Sequence, residues 1–396
     1  MDVAAELRSL AELPPDPAVP VASLYLDTRW HDEQQRRRVK LFAVERCREA
    51  ATPFRGRGGM DRGARDTVAR VTARIASLVE RPDGRAGFIL FASVPRGLWL
   101  ELSSRLPVEP SFTFAAQPQL LPLTQLADVR DPVIVAEVDH RTATVYEVDQ
   151  GLLVSRLERR FDYPGTHRRN DWFHGHRFYR VVGHQRRQNR LDAVRAITEA
   201  CDRAPRARLV LAGAPDQVGA LREALPERLR GRLLPDQHLD RGAPESEAIG
   251  RAVASLCDAG RDEVRQGAEA VVDAALAGGM AVLGPADVTL AVQERRVHAL
   301  FLDRGLSVPG WHCKRCDALG TRAEAGCPYC GGAPETLDLA NELARRVLLE
   351  AGEVHVVEPD ARFRHFTGVA AALRPRGAQP RLGVITREPS TVSSAG

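Results

Sequence analysis

Two pairs of cysteines place the tightest constraint on how this sequence can fold. Cys313 and Cys316 form one CxxC pair, and Cys327 and Cys330 form a second pair after ten intervening residues. Each CxxC turn can point two thiolates at one ion, so two turns complete a tetrahedral zinc site with four cysteine ligands. Four protein ligands leave no open coordination position, which predicts a structural zinc ion. A redox dithiol or four free cysteines are the alternatives, and the paired spacing disfavours both.

Outside the cysteines, runs typical of strands alternate with runs typical of helices. The pattern predicts strands over 21–26, 87–94, 98–102, 133–138, 143–148, 152–156, 208–212, 232–234, 297–302, 354–357 and 368–373. It predicts helices over 33–50, 64–80, 188–203, 215–225, 246–277, 285–294 and 337–350. Alternation of this kind favours layered α/β domains.

We therefore predict an α/β (α+β) protein with three mixed α/β domains in tandem. The N-terminal domain covers 1–127, the middle domain covers 128–277 with a basic tip loop over 159–190, and the C-terminal domain covers 278–374 with the zinc insertion over 311–332. The segment 375–396 is rich in Pro, Gly and Ser, a composition that predicts a disordered tail.

The overall charge of the chain is uninformative, but its distribution is not. The chain has 56 basic and 52 acidic residues, a formal charge of +4, and all but two of the basic residues are arginines. A GC-rich genome accounts for much of that arginine excess. The first residues lack a cationic-then-apolar signal pattern, and no long apolar run follows, which predicts a cytoplasmic protein with no membrane segment.

The basic stretch Arg159–Arg190 carries nine arginines, four histidines and two acids, so its formal charge of +7 exceeds that of the whole chain. Six of the 21 aromatic residues also lie there. Arginines interleaved with aromatic residues suit RNA, since phosphates take the charge and exposed bases stack on the rings. A solvated basic loop is the alternative. The candidate RNA-binding residues are Arg168, Arg169, Trp172, His174, Arg177, Arg180, Arg186 and Arg187.

Catalysis by the same stretch stays open. His174, His176 and His184 could serve as general bases, and Gln185 could position a water molecule. A Ser or Cys nucleophile nearby, paired carboxylates, a P-loop and a Rossmann glycine fingerprint are all missing from the sequence. Two histidines without an acidic or cysteine partner are weak evidence for a catalytic metal.

In this order the segments resemble the archaeo-eukaryotic class-1 peptide chain release factor/Pelota superfamily, in one of its bacterial branches. The resemblance covers roughly 20–374 and is carried by the strand VASLYLDT, the hairpin VIVAEVDHRTATVYEV, the loop and helix over 159–203, and the block GPADVTLAVQERRVHALFLDRG, which is the most specific match. A zinc-knuckle insertion and the strand VHVVEP follow in the family's order.

The resemblance implies a tRNA-shaped protein in the ribosomal A site. Its first domain would reach the decoding centre, its second the peptidyl-transferase centre, and its third a GTPase partner or the ribosomal stalk. Release factors place water on the peptidyl-tRNA ester with a Gly-Gly-Gln tip, which this sequence lacks. His174-Gly175-His176 and Gly183-His184-Gln185 stand near its expected place, so His176 or Gln185 would be the catalytic residue. The decoding motifs are not recognisable, so stop-codon reading is not expected.

The resemblance thus predicts a ribosome-binding release-factor paralogue acting in rescue, hibernation or stress protection. The hibernation factor Balon sets a precedent, because it occupies the A site without the tripeptide. One alternative is a peptidyl-tRNA hydrolase that releases nascent chains, and another is a zinc-containing RNA-binding protein unrelated to the ribosome. The implied partners are ribosomal RNA, peptidyl-tRNA and an elongation-factor-like GTPase.

Overall fold

The computed structural model describes residues 3–29, 33–52, 58–80, 86–104, 106–128, 131–139, 141–149, 152–161, 175–238, 245–321 and 326–375. The chain divides into two compact units. One unit combines Met1–Pro14 with Val264–Gly396, and the other covers Pro15–Glu263.

The helices are α1 (Val3–Ala11), α2 (Glu33–Ala51), α3 (Gly58–Glu80), α4 (Leu121–Asp128), α5 (Gly175–Arg203), α6 (Pro215–Ala224), α7 (Glu227–Arg230), α8 (Glu245–Leu276), α9 (Pro285–Gln293), α10 (Leu339–Leu349) and α11 (Ala361–His365). The strands are β1 (Val21–Asp27), β2 (Gly87–Ser93), β3 (Leu98–Ser104), β4 (Ser111–Ala115), β5 (Val133–Val138), β6 (Thr142–Asp149), β7 (Leu152–Arg160), β8 (Arg208–Gly213), β9 (Gln237–His238), β10 (Ala281–Leu283), β11 (Val297–Asp303), β12 (Pro309–His312), β13 (Leu319–Gly320), β14 (Glu335–Asp338), β15 (Glu353–Val357) and β16 (Val369–Leu373).

The first sheet of the Pro15–Glu263 unit is antiparallel, in the order β3-β2-β1-β4. Alternate residues of β1 and β2 form one core with α2 and α3, as the two-residue period of a strand requires. The opposite face buries Tyr25, whose hydroxyl donates to the Gln119 carbonyl at 2.6 Å. That burial raises the pKa of Tyr25 well above its ordinary value.

The guanidinium group of Arg96 holds two loops together beside this sheet. Arg96 follows β2 in a single 3-10 turn and donates to three carbonyl oxygens, those of Val19 at 2.7 Å, Ala116 at 3.0 Å and Asp16 at 3.2 Å. These carbonyls belong to the segment before β1 and the segment after β4. The side chain of Arg96 therefore reinforces the connection between two loops that flank the paired ends of β1 and β4 and that share a backbone hydrogen bond from Asp16 to Ala116.

The second sheet of this unit has the order β7-β6-β5-β8-β9. Strands β5, β6 and β7 form two antiparallel hairpins, whereas β8 pairs with β5 in parallel. One face packs against α5, α6 and α7, and the other face packs against residues of α8. Burial on both faces explains the nearly continuous apolar sequence of β5 and β8.

A parallel pair needs a crossover connection, and α5 supplies it. This helix has 29 residues, which span about 44 Å, whereas the six residues of β5 span about 20 Å. The α5 residues in the core of the sheet are Ala193, Ala196, Ile197, Ala200 and Cys201, all in the carboxyl-terminal half of the helix. The amino-terminal half contributes no residue to that core, although Val182 within it is buried.

Gly213 is the last residue of β8, and it lies directly beside Val138 at the end of β5. Its φ of +139° is one that side chains rarely adopt, and a Cβ atom there would collide with the Val138 carbonyl oxygen. Only glycine lets the two strand ends meet.

The C-terminal unit contains a mixed sheet in the order β10-β16-β11-β15, in which β11 and β15 are parallel. Its core includes apolar residues of α8 from Val264 onward. A smaller antiparallel sheet, in the order β13-β12-β14, lies between β11 and α10 in the chain and carries the four cysteines. Helix α1 packs against α10, and Arg345 donates to the Ala11 carbonyl at 3.1 Å.

The structure confirms the predicted fold class, a mixed α/β protein with a cysteine-bearing insertion. The predicted domain boundaries near 127 and 277 stay predictions. The tail predicted over 375–396 lies, apart from Pro375, outside the described residues. The grouping of Met1–Pro14 with the C-terminal unit has no counterpart in the sequence pattern.

Three predicted elements differ from the structure. The basic tip loop over 159–190 is wrong at both ends, because β7 continues to Arg160 and α5 begins at Gly175, well before the predicted start at 188. The predicted strand over 232–234 is reduced to an isolated bridge between Leu233 and Leu209, and the edge strand is β9. Strand β4 and helix α4 were not predicted.

In the described part of the chain, no helix combines the length and the apolar character that crossing a bilayer requires.

Replacing Arg96 with Ala should destabilise the Pro15–Glu263 unit. The change removes three hydrogen bonds to carbonyl groups, which corresponds to about 2 kcal/mol or more. We expect the unfolding midpoint measured by calorimetry to fall by about 5 °C. Arg195→Ala, which removes an exposed ion pair with Asp192, is the control and should shift the midpoint by about 2 °C or less. Equal midpoints for Arg96→Ala and Arg195→Ala would show that the three hydrogen bonds of Arg96 do not stabilise the unit.

Candidate metal centre and RNA interface

The four predicted cysteine ligands converge on one point. Their Sγ atoms all lie within 4.8 Å of one another, and the pairs Cys313–Cys330 and Cys316–Cys327 are 3.4 Å and 3.5 Å apart. Tetrahedral zinc with Zn–S bonds of about 2.3 Å holds its sulfur atoms about 3.8 Å apart. The structure thus brings together a donor set that fits zinc, with every position of a tetrahedron filled by the protein.

The backbone of each knuckle folds back on itself by hydrogen bonds. In the first knuckle the Asp317 amide donates to the Cys313 carbonyl at 2.7 Å, and in the second the Gly331 amide donates to the Cys327 carbonyl at 2.8 Å. Backbone N–H groups of Cys316 and Arg315 also point at the Cys313 sulfur, and they lower the pKa of that thiol to about 7. The Ala318 amide lowers the pKa of Cys316, but contacts with the other three thiols outweigh it and raise that pKa to about 12, so a cation is needed to ionise all four thiols together.

The sheet that carries the knuckles has a very small core. Trp311, Ala318 and the buried cysteines make up most of it, and Gly320 leaves room for the indole, since a Cβ atom there would overlap the Trp311 ring. Such a core gives little hydrophobic stabilisation. A metal ion held by the four cysteines would therefore supply much of the free energy that folds this module, as in small zinc modules.

A buried carboxylate fixes helix α10 beneath the knuckles. Glu342 is fully buried and accepts hydrogen bonds from Arg345 and Arg346, each at 2.8 Å. Burial opposes ionisation of Glu342, but these bonds outweigh it and hold the pKa of the carboxyl below its ordinary value. Arg346 donates also to the Asp317 side chain at 2.8 Å, and His312 lies 2.7 Å from that carboxylate.

In the middle of the chain, α5 carries the described part of the predicted RNA-binding set. Residues 175–190, which we call the basic half of α5, include five arginines and no acidic residue. Arg180, Arg186 and Arg187 are exposed. Arg168, Arg169, Trp172 and His174 lie outside the described residues, and the side chains of His176 and Arg177 are not described. The predicted role of these residues stays a prediction.

A cleft of about 200 Å³ marks where α5 passes the sheet edge. Val138 and Asp139 come from the end of β5, Asp216 from the first turn of α6, and Arg186 and Arg190 from α5. The carboxyl ends of parallel strands are a common place for ligands in α/β sheets. The cleft holds charges of both signs, so it suits a polar group better than an apolar one.

Gln185 lies inside α5 rather than at a loop tip. It occupies the third turn of the helix, and its side-chain amide donates to the Asn189 Oδ1 at 3.0 Å. Asn189 is buried and lines the cleft, whereas the neighbouring His184 is exposed. The arrangement holds the Gln185 amide in one orientation, in a helical backbone unlike a glycine-rich tip.

Several site residues escaped the sequence analysis. Asn189, Arg190 and Asp216 line the cleft, and Glu342, Arg345 and Arg346 support the knuckles. The spacing of Glu342 to Arg345 and Arg346 was a detectable signal, because such pairs meet on one helix face. Nothing local distinguishes the buried Asn189 from the exposed residues around it.

Residues 118–257 match the family described as bacterial archaeo-eukaryotic release factor family 10. This segment contains β5 to β9, α5 and the cleft. The match confirms the resemblance to the bacterial branch of the release factor/Pelota superfamily that the sequence predicted. No curated protein matches the chain.

Among solved structures, the chain is similar to the archaeal translation termination factor aRF1, with 14% identity over 94% of this chain and 97% of that chain and a TM-score of 0.26. Pelota of Archaeoglobus fulgidus is 14% identical over 74% of this chain and 80% of that one, with a TM-score of 0.38. Dom34 of S. cerevisiae, a translation termination-like factor that interacts with Hbs1, is 12% identical over 74% and 81%, with a TM-score of 0.37. Values this low identify no function.

Zinc should be bound at about one ion per chain, because four thiolates fill one tetrahedral site. Cys316→Ser removes one ligand and should reduce the zinc content, measured by elemental analysis, to near zero. It should also expose residues 309–338 to limited proteolysis, since the module has only a very small core. Cys257→Ser, in α8 and outside the cluster, is the control and should retain the metal. Full zinc content in Cys316→Ser would contradict the assignment.

Proposed function

We propose, from the confirmed resemblance of residues 118–257 to the bacterial archaeo-eukaryotic release factors, that this protein binds the ribosome and occupies its A site in rescue, hibernation or stress protection. It does so without reading stop codons. The observation that carries the proposal is that the matched segment contains the most basic stretch of the chain. The protein is accordingly a cytoplasmic one, with zinc as a structural cofactor.

The geometry of α5 supports contact with ribosomal RNA. The helix crosses the sheet edge near Arg186 and Arg190, so Gly175–Gln185 extend about 16 Å beyond it. Exposed guanidinium groups on the basic half of α5 can reach phosphates without disturbing the core. The helix amino terminus adds a partial positive charge at the same end. Electrostatic binding of this kind is strong at low salt and weakens as salt rises.

The further partners, peptidyl-tRNA and an elongation-factor-like GTPase, rest on the resemblance. They are compatible with a factor that enters the A site.

Peptide release is the second candidate function. One observation favours it: Asn189 fixes the side-chain amide of Gln185, and a water-positioning residue needs a fixed orientation. The absence of a Gly-Gly-Gln tripeptide from the sequence weighs against it, as does the helical position of Gln185. A zinc-containing RNA-binding protein independent of the ribosome is the third class.

Neutralising Arg180, Arg186 and Arg187 with Gln should weaken binding to ribosomes by about tenfold or more, because three phosphate contacts are lost. In cosedimentation, the slope of log affinity against log salt should decrease by about 2, roughly 0.7 for each contact to single-stranded RNA.

The matched control changes Arg195, Arg203 and Arg206 to Gln. These arginines are exposed at the other end of α5 and just after it, so the variant loses the same charge from the same unit. It should bind nearly as wild type does. Equal losses for both variants would show that net charge, rather than the basic half of α5, governs binding.

Release of peptide from ribosome-bound peptidyl-tRNA separates the first two functions. We expect wild-type protein to bind ribosomes and release no peptide above background. Release that disappears in Gln185→Ala or His176→Ala, with binding intact, would overturn the non-catalytic proposal in favour of the hydrolase.

A further inference from the structure

A second candidate contact surface lies in the C-terminal unit, beside the cysteine knuckles. A groove of about 510 Å³ lies between α9, the knuckles and the carboxyl-terminal half of α10. We call it the knuckle groove. Its lining includes Arg295, Arg346 and Tyr329 together with the apolar side chains Val292 and Leu349. The groove is larger than the cleft beside α5, and the resemblance assigns no ligand to it.

Tyr329 is the aromatic residue of the second knuckle, and its side chain lies open to solvent. It is 67% exposed, the highest fraction among the large hydrophobic residues that the structure describes. An exposed ring gains no hydrophobic stabilisation from the fold. Because hydrogen bonds of the knuckle fix the backbone at this position, binding costs little further backbone freedom.

Arginines line the groove together with Tyr329, and another arginine lies against the same knuckle outside the groove lining. Arg315, at the tip of the first knuckle, donates to the Cys330 carbonyl at 3.3 Å and so lies against the second knuckle. Within the described residues Arg315 has no carboxylate partner. Arg346 reaches the groove from α10, where the buried Glu342 fixes it. Arg295 reaches it from the end of α9, with its side chain 74% exposed.

The backbone at the groove is strained in a way that its sequence could have avoided. Arg295 and Asp317 both line the groove, and both have positive φ values, +58° and +61°. Glycine adopts this conformation without cost, whereas for a residue with a Cβ atom it costs about 1 kcal/mol. Ala351 and Thr367 have similar φ values, so the conformation alone assigns no role, but at Arg295 it accompanies an exposed guanidinium group in the groove.

We propose that the knuckle groove binds an unpaired nucleotide of RNA, with the base stacked on Tyr329 and the flanking phosphates held by Arg295 and Arg315. The inference rests on the proposed function in taking ribosomal RNA as the source. An exposed ring flanked by guanidinium groups is the arrangement by which proteins hold single-stranded RNA.

The planar faces and N–H donors of a base, rather than charge, favour RNA over an acidic peptide. Glu350 lies 3.3 Å from Arg295, and Asp317 lies 2.8 Å from Arg346, so both arginines already have a carboxylate beside them. Those carboxylates repel phosphates and acidic side chains alike, and an acidic side chain offers them no hydrogen-bond donor. A base, in contrast, offers N–H donors to the same carboxylates and a planar face to the ring.

Three substitutions in the full-length protein test the proposal. Binding of a fluorescein-labelled single-stranded RNA oligonucleotide of about 12 nucleotides, a length near the site size of single-strand binding modules, is followed by anisotropy. Affinity should weaken about tenfold in Tyr329→Ala, which corresponds to about 1.4 kcal/mol. Tyr329→Phe keeps the ring and should bind as wild type does. The control is Leu290→Ala, which removes a half-exposed apolar side chain of α9 and should leave the RNA affinity unchanged.

Arg295→Gly separates binding from folding. It removes the guanidinium group but relieves the positive φ, so thermal stability should be unchanged or higher while RNA affinity falls severalfold. The salt slope should decrease by about 0.7. Wild-type affinity in both Tyr329→Ala and Arg295→Gly would overturn the proposal.

Two results distinguish this inference from the proposed function. If wild-type protein fails to cosediment with ribosomes, the proposed function fails, and the oligonucleotide still decides whether the groove binds RNA. If wild-type protein cosediments but Tyr329→Ala and Arg295→Gly both bind ribosomes and the oligonucleotide as wild type does, only the groove inference fails. A photo-crosslinking amino acid placed at position 329 should react with ribosomal RNA. Crosslinks confined to a ribosomal protein would identify the groove as a peptide site and overturn the proposal.

Discussion

The position of the most basic surface of the chain depends on the parallel pairing of β5 with β8. Parallel neighbours cannot be joined by a tight turn, so the chain must cross the sheet between β7 and β8, and it does so with α5. The helix is about twice as long as the strands it covers, and its core contacts lie in its second half. The first half therefore projects past the edge where β5 ends, with five arginines and no acidic residue over 175–190. Gly213 makes this pairing possible, since a side chain there would separate the strand ends.

The C-terminal unit depends on a different kind of interaction. The knuckle sheet has few buried apolar residues, so the four thiolates and the ion they suit supply what packing does not. The buried Glu342 then connects this module to α10 through Arg346 and Asp317. Because Glu342 sits in a dry site with two guanidinium groups, its loss would leave both cations without their buried partner. The position of Arg346 at the knuckle groove thus depends on one carboxylate that has no contact with solvent.

Local patterns predicted the features whose information is local. The cysteine spacing identified the ligands, and the alternation of apolar residues identified the β5–β6 hairpin, β8 and the long α8. The start of α5 was missed because two glycines and a run of polar residues hide a helix that tertiary context sustains. Strand β4 and helix α4 owe their places to distant contacts such as that between Tyr25 and Gln119. Neither the burial of Asn189 nor the packing of α1 on α10 leaves any trace in nearby sequence.

A cryo-electron microscopy structure of the protein bound to the ribosome tests the central claim most directly, which is that the basic half of α5 forms the contact with ribosomal RNA. The account predicts that the protein occupies the A site with Arg180, Arg186 and Arg187 within hydrogen-bonding distance of RNA phosphates, about 3 Å. A complex in which this half of α5 faces solvent, while other surfaces hold the protein on the ribosome, would contradict it.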